Sequence, residues 1–244
     1  MIPLILSPLL SQVDHVRHGF TTREGGVSEG PYRSLNLGLG QAAQDAPGAV
    51  EANHVRLREQ LDARSLVTVK QVHGVNLVQV KDARRDVEAD GILTNVPGDH
   101  ALILVADCAP VLLARRDSAM VGAVHAGWRG AVAGIASRAV ALMGTSDVVV
   151  AIGPCIGPCC FEVGPEVAEA AAKVGGSDVV IPRAGGNPHV DLAGIVAADL
   201  EKAGVSARHI DILRICTRCT SEFFSHRRDH GVTGRQAGLI GLTR

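Results

Sequence analysis

Apolar residues occur along this chain in two patterns: short continuous runs and stripes at helical spacing. The runs are rich in Val, Leu and Ile and are bounded by turn residues, which predicts buried strands. The three most regular runs follow one another at 102–106, 111–115 and 120–127. Further strands are predicted at the N-terminus, over 13–22, twice within 65–82 around a bend at His73-Gly74, at the start of 147–164, from 211 and in the C-terminal tail.

Helical spacing marks four segments, at 47–61, from Arg129 to Gly144, at 165–175 and at 188–204. Pro165 stands at the first position of the third helix, and Gly144 and Gly204 stand where helices are expected to end. The apolar stripes of the first two segments consist of Val50, His54, Leu57 and Leu61, and of Val132, Ile135, Ala139 and Leu142. A long loop rich in Gly, Ser, Asn and Pro is predicted over 23–40, and a turn at Asp90-Gly91.

The second and third apolar runs are predicted to form a hairpin around 116–119, in which position 111 faces position 124. Pro110 then lies level with His125, and Cys108 comes beside His125 at the end of the hairpin. The chain passes from strand to helix directly after His125, where open α/β sheets place their ligand crevices. A thiol and an imidazole side by side at strand ends indicate a metal site or a Cys–His nucleophile.

Composition supports one globular domain over 1–244, because 46% of the 244 residues are hydrophobic and no linker divides the chain. Aromatic residues make up only 2%, so aliphatic side chains must fill the core. The net charge of −1 gives no electrostatic footprint for nucleic acid or an anionic membrane, and we expect neither partner.

The apolar N-terminus lacks a basic region and a cleavage site, so it is interpreted as a strand and not as a signal peptide. No apolar run approaches the ~20 residues that span a bilayer. We therefore expect a cytoplasmic protein whose six cysteines are reduced or metal-bound.

His73, Cys108 and His125 together could supply the three protein ligands of a catalytic zinc site, since each lies at a strand end beside glycine or a turn. Nothing local places His73 beside the other two. A metal-free alternative uses Cys108 as nucleophile and His125 as its base. A buried cysteine and an unrelated histidine remain the third interpretation of the same residues.

The other cysteines form two groups, Cys155 with Cys159 and Cys160, and Cys216 with Cys219. Together they could hold a structural zinc ion. The first group is not a Cys-x2-Cys knuckle, and adjacent cysteines do not easily face one metal. Packing as small apolar residues is therefore the favoured interpretation. A multicopper oxidase site is disfavoured too, because the ten histidines include no His-x-His pair.

Eight segments in order along nearly the whole chain carry a resemblance to a known family. They are TTREGGVSEGPYRSLNLG (21–38), QVHG (71–74), ADGILTN (89–95), ADCAPVLL (106–113), AVHAGWRG (123–130), IGPCIGPCCFEVG (152–164), Cys216-Thr217 and FFSHRRDHGVTGRQAGLI (223–240). The sequence resembles the YfiH/YlmD family, also called the laccase-domain or multicopper polyphenol oxidase family, which is related to human FAMIN.

The resemblance implies an α/β fold: a single domain of layered mixed β-sheets with flanking helices, akin to the cytotoxic necrotising factor-type cysteine hydrolase fold. It implies a zinc ion held by His73, Cys108 and His125, with copper as the less favoured alternative. It also implies phosphorolysis of adenosine, inosine and methylthioadenosine, together with deamination of adenosine. A laccase activity and the editing of peptidoglycan precursors are attached to other relatives.

Phosphorolysis needs an anion site, and Arg129 and the C-terminal arginines could supply it. The residues expected to bind substrate or phosphate are Arg129, Gly25, Gly26, Asn36, Arg227 and Arg228. Two positions depart from the family pattern. Asn53-His54 stands in place of Asn-Arg, and His226 stands in place of tyrosine, so neither role is transferred.

The leading hypothesis is therefore a zinc-dependent purine nucleoside phosphorylase with adenosine deaminase activity, acting as a monomer or weak homo-oligomer. A Cys–His hydrolase, a polyphenol oxidase and a non-enzymatic, zinc-stabilised or redox-responsive binding module are the alternatives. Activity that survives metal chelation would favour the hydrolase, whereas unfolding on metal removal would favour the binding module.

Overall fold

The computed structural model describes residues 1–38 and 45–243. Its strands are β1 (Leu4–Ile5), β2 (Val16–Thr21), β3 (Ser65–Val67), β4 (Leu77–Gln79), β5 (Gly91–Thr94), β6 (Asp99–Val105), β7 (Ala109–Arg115), β8 (Val121–Ala126), β9 (Val148–Ile152), β10 (Val180–Ile181), β11 (His189–Val190), β12 (Ile210–Ile212) and β13 (Gln236–Leu242). Its α-helices are α1 (Pro47–Gln60), α2 (Trp128–Val132), α3 (Ile135–Met143), α4 (Pro165–Gly175) and α5 (Leu192–Lys202). None of the helices described is long and apolar enough to cross a membrane.

The strands build two mixed sheets and one small ribbon. The five-stranded sheet has the order β1-β2-β13-β6-β3, and the six-stranded sheet has the order β12-β9-β7-β8-β5-β4. Edge strands β3, β4 and β12 pair in parallel with their neighbours, and the inner pairs are antiparallel. The chain crosses from the first sheet to the second between β6 and β7, so residues 106–108 lie at the junction of the sheets.

Both faces of each large sheet are buried, which explains why the central strands are continuous apolar runs. Ile103 on β6 and Leu112 on β7 pack in the core between the two sheets. The neighbouring residue Leu102 points the other way and packs against Leu57 of α1. Val111 and Leu113 face the layer formed by α2 to α5. The molecule is thus a layered α/β fold with helices on both outer faces, as expected.

The predicted hairpin is confirmed in its register. Val111 pairs with Val124, and Pro110 pairs with His125, in the antiparallel ladder of β7 and β8. Cys108 directly precedes β7, so it lies beside the end of β8 that carries His125. The hydrophobic pattern was sufficient to predict the register of this hairpin, because a slip of one residue would turn every apolar side chain to the opposite face of the sheet.

The helix predicted from Arg129 is instead two helices, separated at Ala133 and Gly134. Gly134 has a φ of 78°, a left-handed conformation that ends α2 and starts α3 in a new direction. The prediction that Leu142 belongs to the buried face is wrong, since Leu142 is 55% exposed. Gly144 ends α3 with a φ of 73°, as a C-terminal cap should.

Other boundaries follow the sequence closely, with three differences. The helices over 47–60 and 165–175 begin and end within one residue of the prediction. The last helix begins four residues later than predicted, because His189 and Val190 pair with β10 and Asp191 caps α5 by accepting a bond from the Gly194 N–H (3.0 Å). The N-terminal strand covers only Leu4–Ile5. Gly91 begins β5, so it is not part of a turn.

The predicted loop over 23–40 is described as far as residue 38 and contains a short 3-10 turn at Gly30–Tyr32. Its last two predicted residues lie outside the described part of the chain. Where it is described, the loop is joined to the rest of the molecule by hydrogen bonds from Arg23 N–H to the Glu222 carbonyl (2.8 Å) and from Leu37 N–H to the Arg235 carbonyl (2.9 Å).

Candidate functional site

His73, Cys108 and His125 come together although they lie on three separate segments. His73 lies in the bend before β4, Cys108 in the crossover before β7, and His125 near the end of β8. Their nitrogen and sulfur ligand atoms all lie within 4.8 Å of one another. The two imidazole rings meet edge to face, with centroids 4.7 Å apart and planes inclined by 73°. The three side chains therefore form one group, which the sequence pattern alone did not establish.

Asp90 is the residue that holds this group in place, and the sequence analysis missed its role. One oxygen of the fully buried carboxylate accepts a bond from Nδ1 of His125 (2.8 Å). The same carboxylate accepts backbone N–H bonds from Val72 (3.3 Å), His73 (2.9 Å) and Gly74 (2.6 Å). The bend that carries His73 is thereby fixed beside His125, and His73 keeps its φ of 60°.

The strand register explains why Asp90 reaches both histidines. Leu77 of β4 pairs in parallel with Gly91, and Gly91 pairs on its other side with Val124 of β8. Asp90 therefore lies level with the bend on one side and with His125 on the other. The only sequence feature that pointed to this role of Asp90 was its position directly before an apolar strand. A carboxylate that is buried there must accept hydrogen bonds from neighbouring groups.

Burial and charge together shift the pKa values of the group. Burial alone would raise the pKa of Cys108, but the positive charge of His125 and hydrogen bonds from both histidines lower it to about 6. Burial would lower the pKa of His125, but the Cys108 thiolate and the Asp90 carboxylate raise it to about 9. Without a metal, the opposite shifts of the two pKa values favour a thiolate beside an imidazolium.

The donor set fits a zinc ion. Two imidazoles and one thiolate form a three-ligand set of the kind that catalytic zinc sites use while keeping one position open. His125 uses Nδ1 for Asp90, which leaves Nε2 for a metal and gives the carboxylate–histidine arrangement that supports metal ligands. Gly127 leaves room beside the group, since a Cβ there would lie 2.6 Å from His73 Nδ1 and 3.3 Å from Cys108 Sγ.

Asp107 supports the group from the other side. It has a φ of 88° and is buried, and its carboxylate accepts bonds from Thr217 Oγ1 (2.6 Å) and from the backbone N–H of Arg227 (2.7 Å). These contacts attach the segment before Cys108 to the C-terminal part of the chain. The residue before the candidate ligand therefore also positions the arginine-bearing segment.

The three side chains line a cavity of about 1130 Å³. Its walls combine apolar side chains such as Leu104, Ile156 and Leu192 with the aromatic rings of Trp128 and Phe161. The lone tryptophan thus faces the cavity while also packing against the core. Lys70, Arg85, Arg129, His226, Arg227 and Arg235 also line the cavity.

Among the five lysine and arginine side chains of this lining, three have no carboxylate partner within the described residues, whereas Lys70 and Arg85 pair with Glu88 and Glu51. Arg129 stacks on Trp128, with Cζ 4.5 Å from the ring centroid, and Arg227 lies 5.6 Å from the centroid of Phe161. Arg235 is half-buried and donates to the carbonyls of Thr233 (3.0 Å) and Gly234 (2.9 Å). The cavity is therefore positively charged and suited to an anion.

The structure places the remaining expected binding residues away from the cavity lining. Arg228 donates to Asp229 and to three backbone carbonyls. Asn36 is fully buried and accepts bonds from the N–H groups of Gly38 and Arg235. Gly25 and Gly26 fit closely against Ile2 and Ser34. All four shape the surrounding loops, and a direct contact with substrate remains a prediction for them.

The cysteines outside the cavity do not all pack as apolar residues, so that interpretation is wrong for two of them. Cys155 and Cys160 are buried, whereas Cys159 and Cys219 are exposed. Within the part of the chain that the structure describes, only two histidines belong to a group that could hold a metal, which does not favour a multicopper site.

Comparisons with known proteins identify similar sequences and structures. Residues 17–243 match the family described as multi-copper polyphenol oxidoreductase laccase. A Deinococcus radiodurans protein named purine nucleoside phosphorylase is 40% identical, with 100% of this chain and 94% of the relative covered. The crystal structure of YlmD from Geobacillus stearothermophilus is 34% identical, with a TM-score of 0.89 over 98% of this chain and 94% of that one. Bacillus licheniformis YfiH is 31% identical, with a TM-score of 0.90 over 99% of both chains.

Proposed function

The chain belongs to the multi-copper polyphenol oxidoreductase laccase family, and from this premise we propose that it is a zinc-dependent purine nucleoside phosphorylase. Its substrates are adenosine, inosine or methylthioadenosine together with phosphate, and it also deaminates adenosine. The observation that carries the proposal is an open group of three metal ligands in a cavity with three arginines that lack carboxylate partners among the described residues. The name purine nucleoside phosphorylase, borne by the Deinococcus relative, supports the same activity.

The phosphate half of the reaction is assigned to the arginines. Arg129, Arg227 and Arg235 approach the cavity from α2, from the segment after β12 and from the start of β13. A guanidinium presents a planar fork of N–H donors that matches two oxygens of a phosphate. Burial lowers the pKa of Arg235, yet an arginine remains protonated at neutral pH. These residues would bind phosphate and orient one of its oxygens toward the sugar.

The nucleoside half is assigned to the apolar wall. The cavity of about 1130 Å³ can accommodate a purine nucleoside and a phosphate together. Trp128 and Phe161 offer flat rings beside which a purine base can stack. In phosphorolysis a phosphate oxygen bonds to C1′ of the ribose while the C1′–N9 bond breaks. The purine leaves with that electron pair and takes up a proton.

His73, Cys108 and His125 would hold the zinc ion. When bound, zinc supplies a Lewis acid and lowers the pKa of a water molecule that can attack the purine C6 position in deamination. Asp90 keeps His125 in the tautomer with Nε2 free and keeps the His73 bend in place. Deamination replaces the C6 amino group with oxygen and releases ammonia, so it needs water but no phosphate.

The test is a product assay on purified protein. Incubation with inosine and phosphate should release hypoxanthine and ribose 1-phosphate, and incubation with adenosine without phosphate should release inosine. Chromatography measures the products of both incubations. The Cys108→Ala variant should lose both activities. The matched control is Cys155→Ala, which removes another cysteine that does not line the cavity. Unchanged turnover in Cys108→Ala, or no product from any purine nucleoside, would reject the proposal.

A second candidate is a metal-free Cys–His hydrolase that acts on peptidoglycan precursors. The lowered pKa of Cys108 beside His125 favours it, because a thiolate is the reactive form of a cysteine nucleophile. This candidate requires that a mis-charged muramyl precursor releases its amino acid and that the activity persists after metal chelation. Loss of that activity on chelation would eliminate it.

A further inference from the structure

Four cysteines outside the cavity bring their sulfur atoms to one place. Cys159 and Cys160 follow β9, Cys216 and Cys219 follow β12, and all four Sγ atoms lie within 4.8 Å of one another. Cys219 Sγ is 3.3 Å from Cys160 Sγ and 3.6 Å from Cys159 Sγ. Zinc–sulfur bonds of about 2.3 Å in a tetrahedron place sulfurs about 3.8 Å apart. We propose that these four cysteines form a second, structural zinc site.

The backbone brings the two segments together before any metal is considered. β9 and β12 pair in parallel, and the pairing continues past the strands as a bridge between Cys155 and Cys216. Cys155 N–H donates to the Ile215 carbonyl (3.2 Å), and Thr217 N–H donates to the Cys155 carbonyl (3.0 Å). The convergence of the cysteines is therefore a consequence of the sheet topology.

Two tight turns then aim the side chains at one point. Thr220 N–H donates to the Cys216 carbonyl (3.1 Å), which closes the Cys-x2-Cys turn typical of zinc knuckles. In the other segment the N–H groups of Cys160 (2.9 Å) and Phe161 (3.0 Å) both donate to the Gly157 carbonyl. This turn allows the adjacent Cys159 and Cys160 to face the same side.

Gly157 is adapted to this arrangement. Its N–H donates to Cys216 Sγ (3.2 Å), and a sulfur that accepts such a bond is better suited to be a thiolate than a thiol. A Cβ at Gly157 would lie 3.1 Å from Cys216 Cβ and 3.3 Å from Cys159 Sγ. A side chain at this position would therefore crowd two of the four candidate ligands.

The ligand chemistry selects zinc and a structural role. Four thiolates fill a tetrahedral coordination sphere and leave no position for water or substrate, which is the arrangement of structural zinc sites. Binding replaces the thiol protons with Zn²⁺ and releases them to solvent, so no oxidant is needed. The exposed Cys159 and Cys219 give the metal a route from solvent.

The site would hold one wall of the cavity together. Phe161 lines the cavity and directly follows Cys160. Arg228 donates to the carbonyls of Thr217 (3.0 Å) and Thr220 (3.3 Å), which lie in the turn that carries the other two cysteines. The inference concerns metal content and stability, and it does not depend on the reaction that the cavity performs.

The test counts zinc per chain in protein purified under reducing conditions, by elemental analysis. Wild type should hold two zinc ions, one for each group. Cys219→Ser and Cys108→Ala should each hold one, and the matched control Cys155→Ala should keep both. Cys219→Ser should also melt at a lower temperature than wild type.

A second measurement replaces zinc with cobalt in Cys108→Ala, which retains all four cluster cysteines. The absorption spectrum of the bound cobalt then tests the cluster without a variant in which a cluster cysteine is lost. The bound cobalt should show a thiolate-to-metal absorption about four times as strong as that expected for one thiolate. No cobalt bound to Cys108→Ala would overturn the proposal. So would the absence of zinc from Cys108→Ala, or a disulfide between cluster cysteines found by mass spectrometry of the freshly reduced protein.

Discussion

The two cysteine-containing groups are similar in size but differ in construction. His73, Cys108 and His125 lie at strand ends in a cavity, with a buried carboxylate behind one imidazole. The cluster of Cys159, Cys160, Cys216 and Cys219 lies in two loop turns, with a backbone N–H donating to one of its sulfurs. The first has three candidate ligands and open space beside them; the second has four and no open position.

This difference indicates separate tasks. A metal that keeps an open coordination position can bind or activate a substrate, whereas a metal with four protein ligands can only hold segments together. The cavity group therefore belongs to the chemistry, and the cluster belongs to the stability of the wall beside it. The comparison predicts that damage to each group affects a different measurement.

The largest effects on activity and on stability are expected when one cysteine of each group is substituted in a separate variant. Cys108→Ala should lower kcat/KM for phosphorolysis by more than about 100-fold, because losing a metal ligand should exceed the 10–100-fold effect of losing a residue that supports one. Cys219→Ser should keep activity within a few-fold but lose about 2–3 kcal/mol of stability, estimated for a site saturated about 100-fold above its Kd. Steady-state kinetics measure the activity of both variants, and thermal unfolding measures their stability. Equal losses of activity in the two variants would contradict the assignment of separate tasks to the two groups.

The difference between the groups also explains what the sequence could predict. The hairpin register that places Pro110 level with His125 follows from a local pattern of apolar residues and one turn. The position of His73 does not, because it depends on the parallel pairing of β4 with β5 and on Asp90. The sequence pattern offered His73 only as a candidate third ligand, and the family resemblance then implied that it binds the metal.

The cysteine cluster was harder still to predict. The convergence of Cys159 and Cys216 needs the parallel pairing of β9 with β12 and two turns of defined shape. Sequence spacing suggests a zinc knuckle at Cys216 and Cys219 but does not show which distant cysteines join it. Adjacent cysteines face one point only because the turn after Gly157 is tight, and that geometry comes from tertiary contacts.

Asp90→Asn is expected to give the next largest effect, confined to the cavity group. An amide carries no negative charge to hold the His125 N–H, so zinc affinity should fall about 10–100-fold. Competition with a coloured chelator measures the affinity. The matched control is Asp99→Asn, a carboxylate on β6 that pairs with the half-exposed Arg64 and does not touch the group. That control should leave zinc affinity unchanged, although it should cost about 1–3 kcal/mol of stability because Asp99 is buried and accepts bonds from Arg64 and Ser65. An equal loss of zinc affinity in both variants would contradict the role given to Asp90.

A smaller effect is expected from Gly127→Ala. The added Cβ would lie 2.6 Å from His73 Nδ1, so the ring must move and zinc affinity at the cavity should fall by about tenfold, or about 1.4 kcal/mol. Gly48→Ala in α1 is the control, because a Cβ there meets nothing within 4 Å. It should leave the metal in place and stabilise the helix by about 0.5–1 kcal/mol. Normal zinc affinity in Gly127→Ala would show that the space beside His73 is not required.

The smallest effect distinguishes two adjacent arginines. Arg227 lines the cavity, whereas Arg228 donates to backbone carbonyls around the Cys216–Cys219 turn. Arg227→Gln should raise KM for phosphate about fivefold, since an exposed charge contact is worth about 1 kcal/mol, and should leave stability unchanged. Arg228→Lys should leave that KM unchanged and lower stability by about 1–3 kcal/mol, because lysine lacks the planar fork of donors. A raised KM in Arg228→Lys at normal stability would instead place Arg228 at the phosphate, as the sequence analysis expected.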